Sequence, residues 1–111
     1  MGMSVEQVGE ITVVVAEGPH LDASVADGFK RDMLPVLEER KKVLLDMSRL
    51  RFVDSTGLGT ILSCVRKIGA SGGELKLCGM SRPVHSVFEL TRMHRIIDIL
   101  ADRDAGIKAF Q

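Results

Sequence analysis

Short apolar segments of strand length alternate with segments of helical spacing along this chain, and this alternation limits the folds open to it. The first two strands, at residues 4–8 and 11–16, flank Gly9-Glu10, which is typical of a tight hairpin turn. Further strands are predicted at residues 43–47, 52–53, 74–78 and 96–100. Because helices separate most of these strands, the sequence predicts an α/β fold with parallel pairing, made mixed by the opening hairpin.

The helices are predicted from apolar residues that recur three or four positions apart. In the first helix, Asp22-Ala23-Ser24 offers capping oxygens, and Pro35 should kink or end the helix. The second helix runs over residues 58–68, the third begins at Ser81-Arg82-Pro83, and the last covers residues 102–110. A chain of 111 residues is the right length for one domain built from these elements.

Composition excludes several classes of protein. The chain carries 15 basic and 15 acidic residues, so it lacks the positive surplus with which nucleic-acid-binding proteins neutralise phosphates. No apolar run approaches the ~20 residues that a membrane-spanning helix needs, and no secretory signal is visible. Cys64 and Cys78 offer no disulfide framework. We therefore expect a cytoplasmic protein with two reduced thiols that binds neither nucleic acid nor membrane directly.

The tetrapeptide Asp54-Ser55-Thr56-Gly57 stands where the strand at residues 52–53 runs directly into the second helix. Each of its residues favours a cap or a turn. One interpretation is a plain helix cap, in which a side-chain oxygen accepts a hydrogen bond from a first-turn N–H. A second interpretation makes Ser55 an enzymatic nucleophile, and a third makes it a serine that another protein modifies.

The nucleophile interpretation lacks support elsewhere in the chain. A strand, a serine, a sharp turn and a helix suggest a nucleophile elbow, but its G-x-S-x-G pattern requires glycine where Val53 stands. The candidate bases, His85 and His94, fall in or beside a late helix, and no obvious acid orients either of them. A small serine hydrolase is therefore the remote alternative, and we expect that the chain is not an enzyme.

A modified serine suits the junction better. A phosphate on Ser55 would add about −1.5 to −2 charges at a helix N-terminus, which tolerates anions. The fold would survive, while the charge of the surface around the serine would change sharply. Such an arrangement is typical of a binding module that a partner kinase switches.

Residues 43–62, VLLDMSRLRFVDSTGLGTIL, strongly resemble the STAS domains of bacterial anti-sigma factor antagonists. That family has a strand with a D-hydrophobic-S pattern, a short gap, and then D-S-[ST]-G-L. HLDAS before the first helix, GGELKLCGMSRPVHSVFELT and the closing IIDIL extend the resemblance over nearly the whole chain. It implies a single STAS domain at residues 1–111, with a small mixed β-sheet, an N-terminal hairpin and about four helices packed largely on one side.

In this family, the serine that follows the aspartate is phosphorylated by an anti-sigma factor that is also a serine kinase. The resemblance assigns that role to Ser55, with Asp54, Thr56 and Gly57 shaping its loop and Asp22 on a neighbouring loop. It implies that the unphosphorylated chain binds the kinase and releases a sigma factor. Phosphorylation would prevent binding, and a PP2C-type phosphatase would restore it. ATP belongs to the kinase, so no cofactor is expected.

The chain departs from the family pattern at three places. An extra residue at Pro19-His20 lengthens the loop before Asp22, and Pro35 lies within the first helix. Arg92 replaces a glycine that commonly follows the third helix. STAS domains also act as scaffold or regulatory subunits of stress-sensing complexes and lipid-transport ATPases, without a phosphoswitch. That alternative stays open, although the retained acceptor serine favours the switch.

A partner-binding surface is predicted on the second helix from its helical spacing. The apolar residues that should face the core are Leu58, Ile61, Leu62, Val65 and Ile68. The polar residues Thr60, Ser63 and Lys67 should lie on the other face, free to contact the kinase beside the acceptor serine.

Overall fold

The computed structural model describes residues 1–111 and contains seven strands, four α-helices and one short 3-10 helix. The strands are β1 (Met3–Val8), β2 (Ile11–Ala16), β3 (His20–Leu21), β4 (Lys42–Asp46), β5 (Phe52–Val53), β6 (Glu74–Cys78) and β7 (Ile99–Leu100). The helices are α1 (Ala26–Glu39), α2 (Ser55–Ala70), α3 (Arg82–Leu90) and α4 (Arg103–Ala109), with the 3-10 helix at Met93–Arg95. None of the helices is both long enough and apolar enough to cross a membrane.

The large sheet has the strand order β1-β2-β4-β6-β7, and β3 pairs with β5 in a separate small sheet. Strands β1 and β2 form the antiparallel hairpin that the sequence predicts, with Val8 opposite Ile11. Gly9 takes a φ of 59° in its turn, a left-handed conformation that glycine adopts without steric cost. Every later pairing in the large sheet is parallel, because the intervening helices bring each strand back in the same direction. The predicted mixed sheet is confirmed.

Helices α1, α2 and α3 pack on one face of the large sheet, and α4 packs on the other. The alternation of side chains along β4 separates the two faces. Val43 and Leu45 join a core of 21 buried residues under the first three helices, whereas Leu44 joins a smaller core of 4 buried residues under α4. Buried side chains from the first three helices include Phe29, Met33, Ile61, Val84 and Phe88. The helices therefore pack largely on one side, as predicted.

Lys76 is a buried charged residue of β6, on the sheet face that α4 covers. Its ammonium donates hydrogen bonds to Glu74 at 2.8 Å and to Asp98 at 2.6 Å, and it lies 5.1 Å from the ring centre of Phe110. Burial opposes the charge on the ammonium, but the hydrogen bonds to the two carboxylates outweigh burial and raise the pKa of Lys76. The ammonium therefore ties β6 to the segment before β7 and to the end of α4.

The sequence predicts that α1 kinks or ends near Pro35; the helix does not end there but continues to Glu39. Proline removes one backbone donor and crowds the preceding turn, which costs about 3 kcal/mol in a helix interior. Pro35 itself is exposed, whereas Met33 and Leu37 on either side of it are buried. Because these two side chains hold α1 on the sheet, tertiary packing outweighs the local preference of the proline.

The strand predicted at residues 96–100 is reduced to Ile99–Leu100, because the chain first forms the 3-10 helix. Arg92 precedes that helix and has a φ of 60°, the only positive φ of a non-glycine residue in the structure. This is the left-handed conformation that commonly follows a helix and that glycine usually supplies. The chain therefore keeps the left-handed cap conformation at this position, although a bulky arginine and not a glycine adopts it.

Candidate functional site

The junction between β5 and α2 is capped by Asp54. Its carboxylate Oδ1 accepts a hydrogen bond from the N–H of Gly57 at 2.8 Å, and its carbonyl accepts one from the N–H of Leu58 at 2.9 Å. A side-chain cap of this kind contributes about 1 kcal/mol to stability. Of the capping groups that the sequence offers at this junction, the carboxylate of Asp54 takes the role and the hydroxyl of Ser55 does not.

Ser55 and Thr56 are exposed in the first turn of α2. Because Asp54 provides the cap, the hydroxyl of Ser55 is not needed to hold the helix end. The first N–H groups of a helix have no acceptor four residues earlier, so those of Ser55 and Thr56 carry the positive end of the helix dipole. This turn can therefore accommodate an anion such as a phosphate.

Gly57 is buried against the neighbouring strand β3. A Cβ at this position would overlap the carbonyl oxygen of Leu21 and would lie 3.0 Å from Cγ1 of Val53. Real Cβ atoms require more space than this, so the position excludes every side chain. The glycine of the tetrapeptide is therefore explained by the close approach of α2 to β3.

The lengthened loop before Asp22 reaches this junction by forming β3. Strand β3 pairs in parallel with β5, with Leu21 opposite Val53, and the N–H of Asp54 donates to the carbonyl of Leu21 at 3.4 Å. The residues that follow the two strands, Asp22 and Asp54, therefore lie side by side. The extra residue at Pro19-His20 is accommodated without separating the Asp22 loop from the tetrapeptide.

Asp22 forms a turn with Ser24 instead of capping α1 with its side chain. Its Oδ1 accepts hydrogen bonds from the hydroxyl of Ser24 at 2.6 Å and from the N–H of the same residue at 3.0 Å. The bond from the hydroxyl is the main cause that lowers the pKa of Asp22, and nearby His20 acts in the same direction. A phosphate on Ser55 would therefore join an ionised carboxylate on the adjacent loop.

The structure contradicts the exposed position predicted for Thr60 on the outer face of α2. Thr60 is only 4% exposed, and its hydroxyl donates to the carbonyl of Thr56 at 2.9 Å. At 3.6 residues per turn, Thr60 lies about 40° around the helix from buried Cys64 and about 140° from Ser55. The hydrogen bond to its own helix satisfies the hydroxyl, so that a threonine can occupy a core position.

Ser63 and Lys67 lie on the side of α2 that faces α1, and not at the centre of its exposed face. Ser63 is half-buried and Lys67 is exposed. Both line a groove of about 190 Å³ between the two helices. The remaining residues that line the groove are Lys30, Leu34, Leu37 and Cys64. The sequence prediction placed Thr60, Ser63 and Lys67 on one face of α2 and did not include this groove.

The centre of the exposed face of α2 is formed by residues that the sequence prediction missed. Gly59 and Arg66 are exposed and lie about 40° and about 20° from Ser55 around the helix. Measuring these angles from the acceptor serine, instead of grouping residues by polarity, would have found them. A partner that covers Ser55 would meet Gly59 and Arg66 next.

The two cysteines are free thiols, and both are buried. Burial raises the pKa of Cys64 to about 11 and that of Cys78 to about 12, with Asp46 adding to the effect at Cys78. Because only the thiolate is a strong nucleophile, neither thiol is activated for chemistry near neutral pH.

His85, a candidate base in the nucleophile interpretation, lies on α3 with its Nδ1 3.5 Å from a carboxylate oxygen of Glu89. It lines a cavity whose other residues are Met80, Ile99, Leu100 and Ala101. Ser55 does not line this cavity.

The sequence of this chain matches the family model described as STAS domain over residues 2–105. The chain belongs to the STAS domain family. A curated relative, the anti-sigma F factor antagonist of Paenibacillus polymyxa, is 29% identical over 89 residues. The matched region covers 78% of this chain and 76% of that relative.

Solved structures share the STAS fold at lower identity. The crystal structure of an anti-sigma factor antagonist from Mycobacterium paratuberculosis matches with a TM-score of 0.87 and 19% identity, over 97% of this chain and 92% of that one. The Bacillus cell fate determinant SpoIIAA in its phosphorylated form matches with a TM-score of 0.72 and 21% identity, over 99% and 100% of the two chains. At these identities the matches establish the fold alone.

Proposed function

We propose that this STAS domain is an anti-sigma factor antagonist whose binding to its partner is switched by phosphorylation of Ser55. The observation that carries the proposal is the division of roles at the start of α2: Asp54 caps the helix, and Ser55 is exposed beside it. A serine in that position can be modified without breaking a contact that holds the fold. The curated relative is an anti-sigma factor antagonist, and one structural neighbour was solved in a phosphorylated form, which supports the assignment.

The partner in this proposal is an anti-sigma factor with serine kinase activity. The unphosphorylated chain binds it in the cytoplasm and so releases a sigma factor, and a PP2C-type phosphatase regenerates the binding form. The kinase holds the ATP, so the STAS domain acts as a binding module and as a substrate, and not as an enzyme.

The electrostatics of the site give a physical reason for the switch. Asp22 and Asp54 already place two carboxylates at the carboxyl ends of β3 and β5, and a phosphate on Ser55 adds about −1.5 to −2 charges. In the free chain, water and the N-terminus of α2 stabilise this charge. A partner that buries the site without a matching cation must desolvate the dianion, which costs several kcal/mol. Affinity therefore falls while the fold is kept.

Phosphate transfer tests the proposal directly. The wild-type chain is incubated with ATP and the anti-sigma kinase encoded in its own genome, and the modified residue is mapped by mass spectrometry. We expect stoichiometric labelling of Ser55. Ser55→Ala should abolish labelling with an unchanged circular dichroism spectrum, whereas the matched Thr56→Ala control should retain it. Stoichiometric labelling of the Ser55→Ala variant would refute the assignment.

A further inference from the structure

We propose that the α1–α2 groove, lined by Lys30, Leu34, Leu37, Ser63, Cys64 and Lys67, binds an acidic segment of the partner that carries an apolar side chain. This inference rests on the proposed function and adds a second contact region to the one around Ser55. It also replaces the predicted docking face on α2, because Ser63 and Lys67 belong to this groove and Thr60 is buried.

The floor of the groove is apolar and its rim is basic. Leu34, Leu37 and Cys64 provide the apolar surface, and no acidic residue lines the groove. The Cys64 thiol stays neutral because burial raises its pKa to about 11. Leu34 is 42% exposed, which leaves a large apolar side chain open to solvent. A volume of about 190 Å³ suits an apolar side chain from a partner and does not suit a bulky ligand.

The lysines of the rim lack counterions within the chain. Some basic residues elsewhere in the chain have carboxylate partners: Lys42 pairs with Glu10 at 3.1 Å, and Arg49 pairs with Glu17 at 3.0 Å. Lys30 and Lys67 take part in no ion pair of the structure. A segment with carboxylates on either side of one apolar residue would neutralise both lysines and cover Leu34. Complementary charge of this kind guides association and register more than it adds raw affinity.

The groove is within reach of a partner that already covers the acceptor serine. Ser63 lies two turns after Ser55, about 12 Å along α2, and about 80° around it. Exposed Gly59 lies between them along the same side of the helix. A stable interface buries about 800 Å² on each partner, more than one helix turn offers. A single partner surface can therefore extend from Ser55 across Gly59 into the groove.

Calorimetric titration of the full chain against the anti-sigma factor of its own genome tests this inference. The test variants are the double variant Lys30→Glu, Lys67→Glu and the single variant Leu34→Ala. The matched controls are Lys108→Glu on α4 and Leu90→Ala on α3, an exposed cation and an exposed apolar residue outside the groove. We expect a loss of affinity of about tenfold or more for the double variant and about threefold to tenfold for Leu34→Ala. The controls should bind as wild type.

The outcomes separate the groove from the proposed function. If wild type and both test variants bind equally well, the groove is not used and the function around Ser55 stands. If wild type does not bind the anti-sigma factor, the proposed function fails, and the proposal for the groove fails with it because both require this partner. A self-association of wild type that the test variants abolish, seen by sedimentation, would make a second copy the occupant and overturn the proposal. Rescue of Lys67→Glu by an acid-to-lysine change in the partner would support it directly.

Discussion

The carbonyl oxygen of Leu21 occupies the space that a side chain on Gly57 would need. This contact joins the end of β3 to the first turn of α2, and the hydrogen bond from Asp54 to the same carbonyl strengthens the connection. The loop that carries Asp22 and the turn that carries Ser55 are therefore held together by backbone atoms. The geometry of the candidate site depends on the absence of a side chain at one position.

Replacing Gly57 with alanine should destabilise the protein by about 1–3 kcal/mol, because the added methyl forces a backbone shift in a packed region. Helix propensity alone would favour alanine by about 1 kcal/mol, so the steric effect must exceed that gain. Gly59→Ala is the matched control, since a Cβ at Gly59 meets no atom within 4 Å. Urea denaturation should show Gly59→Ala to be as stable as wild type or more stable. Equal stabilities for the two variants would contradict the packing account.

Asp54→Ala should lower the free energy of unfolding by about 0.5–2 kcal/mol, because it removes the acceptor of the Gly57 N–H at the start of α2. Ser55→Ala should change the free energy of unfolding by less than about 0.5 kcal/mol, as expected for an exposed side chain outside the cap. Thermal denaturation of the two variants measures the difference. A larger loss for Ser55→Ala than for Asp54→Ala would mean that the serine, and not the aspartate, holds the helix end.

Arg92→Gly should be about 1 kcal/mol more stable than Arg92→Ala. Both variants remove the arginine side chain, but only glycine relieves the left-handed backbone at a φ of 60°. Comparing the two variants with each other isolates the backbone effect from contacts of the guanidinium. Chemical denaturation at neutral pH gives both free energies. If alanine is as stable as glycine at this position, the backbone there is not strained in solution.

The stability that Lys76 contributes should depend on pH in the alkaline range. Hydrogen bonds to Asp98 and Glu74 outweigh burial and raise the pKa of Lys76 above its ordinary value of 10.5. A group whose pKa is raised by folding stabilises the folded state below its unfolded pKa and loses that contribution as pH rises through the folded pKa. The difference in unfolding free energy between wild type and Lys76→Met should therefore be constant from neutral pH to about pH 10 and shrink above about pH 10.5. A difference that stays constant up to pH 12 would show that folding does not alter the pKa of Lys76.

Much of the fold follows from the sequence, because the strands of the large sheet and the helices are marked by spacing and by turn residues. Val43 and Leu45 belong to one core and Leu44 belongs to the other. An uninterrupted apolar run of this kind is typical of a strand that is buried on both faces. The sequence also predicts that Ser55 lies at the start of a helix, since Asp54 before it and Gly57 after it favour caps and turns.

The remaining features depend on contacts that sequence patterns do not contain. Thr60 is a polar residue by composition, but a hydrogen bond to Thr56 in its own helix allows it to be buried. Strand β3 has only two residues and exists because β5 pairs with it, so no local pattern predicts it. Pro35 lies within α1 because neighbouring core residues hold the helix, and their packing is visible only in three dimensions.

We propose that phosphorylation of Ser55 is the switch that controls partner binding. The most direct test of this proposal is calorimetric titration of three forms of the chain against the anti-sigma factor, with ADP present: unmodified, Ser55→Glu, and stoichiometrically phosphorylated at Ser55. A carboxylate carries less charge and fewer acceptor oxygens than a phosphate, so affinity should fall from the unmodified form to Ser55→Glu and further to the phosphorylated form. A loss of several kcal/mol corresponds to at least a hundredfold change in affinity, since about 1.4 kcal/mol is tenfold. Equal affinity of all three forms would contradict the account and favour a scaffold role for this STAS domain.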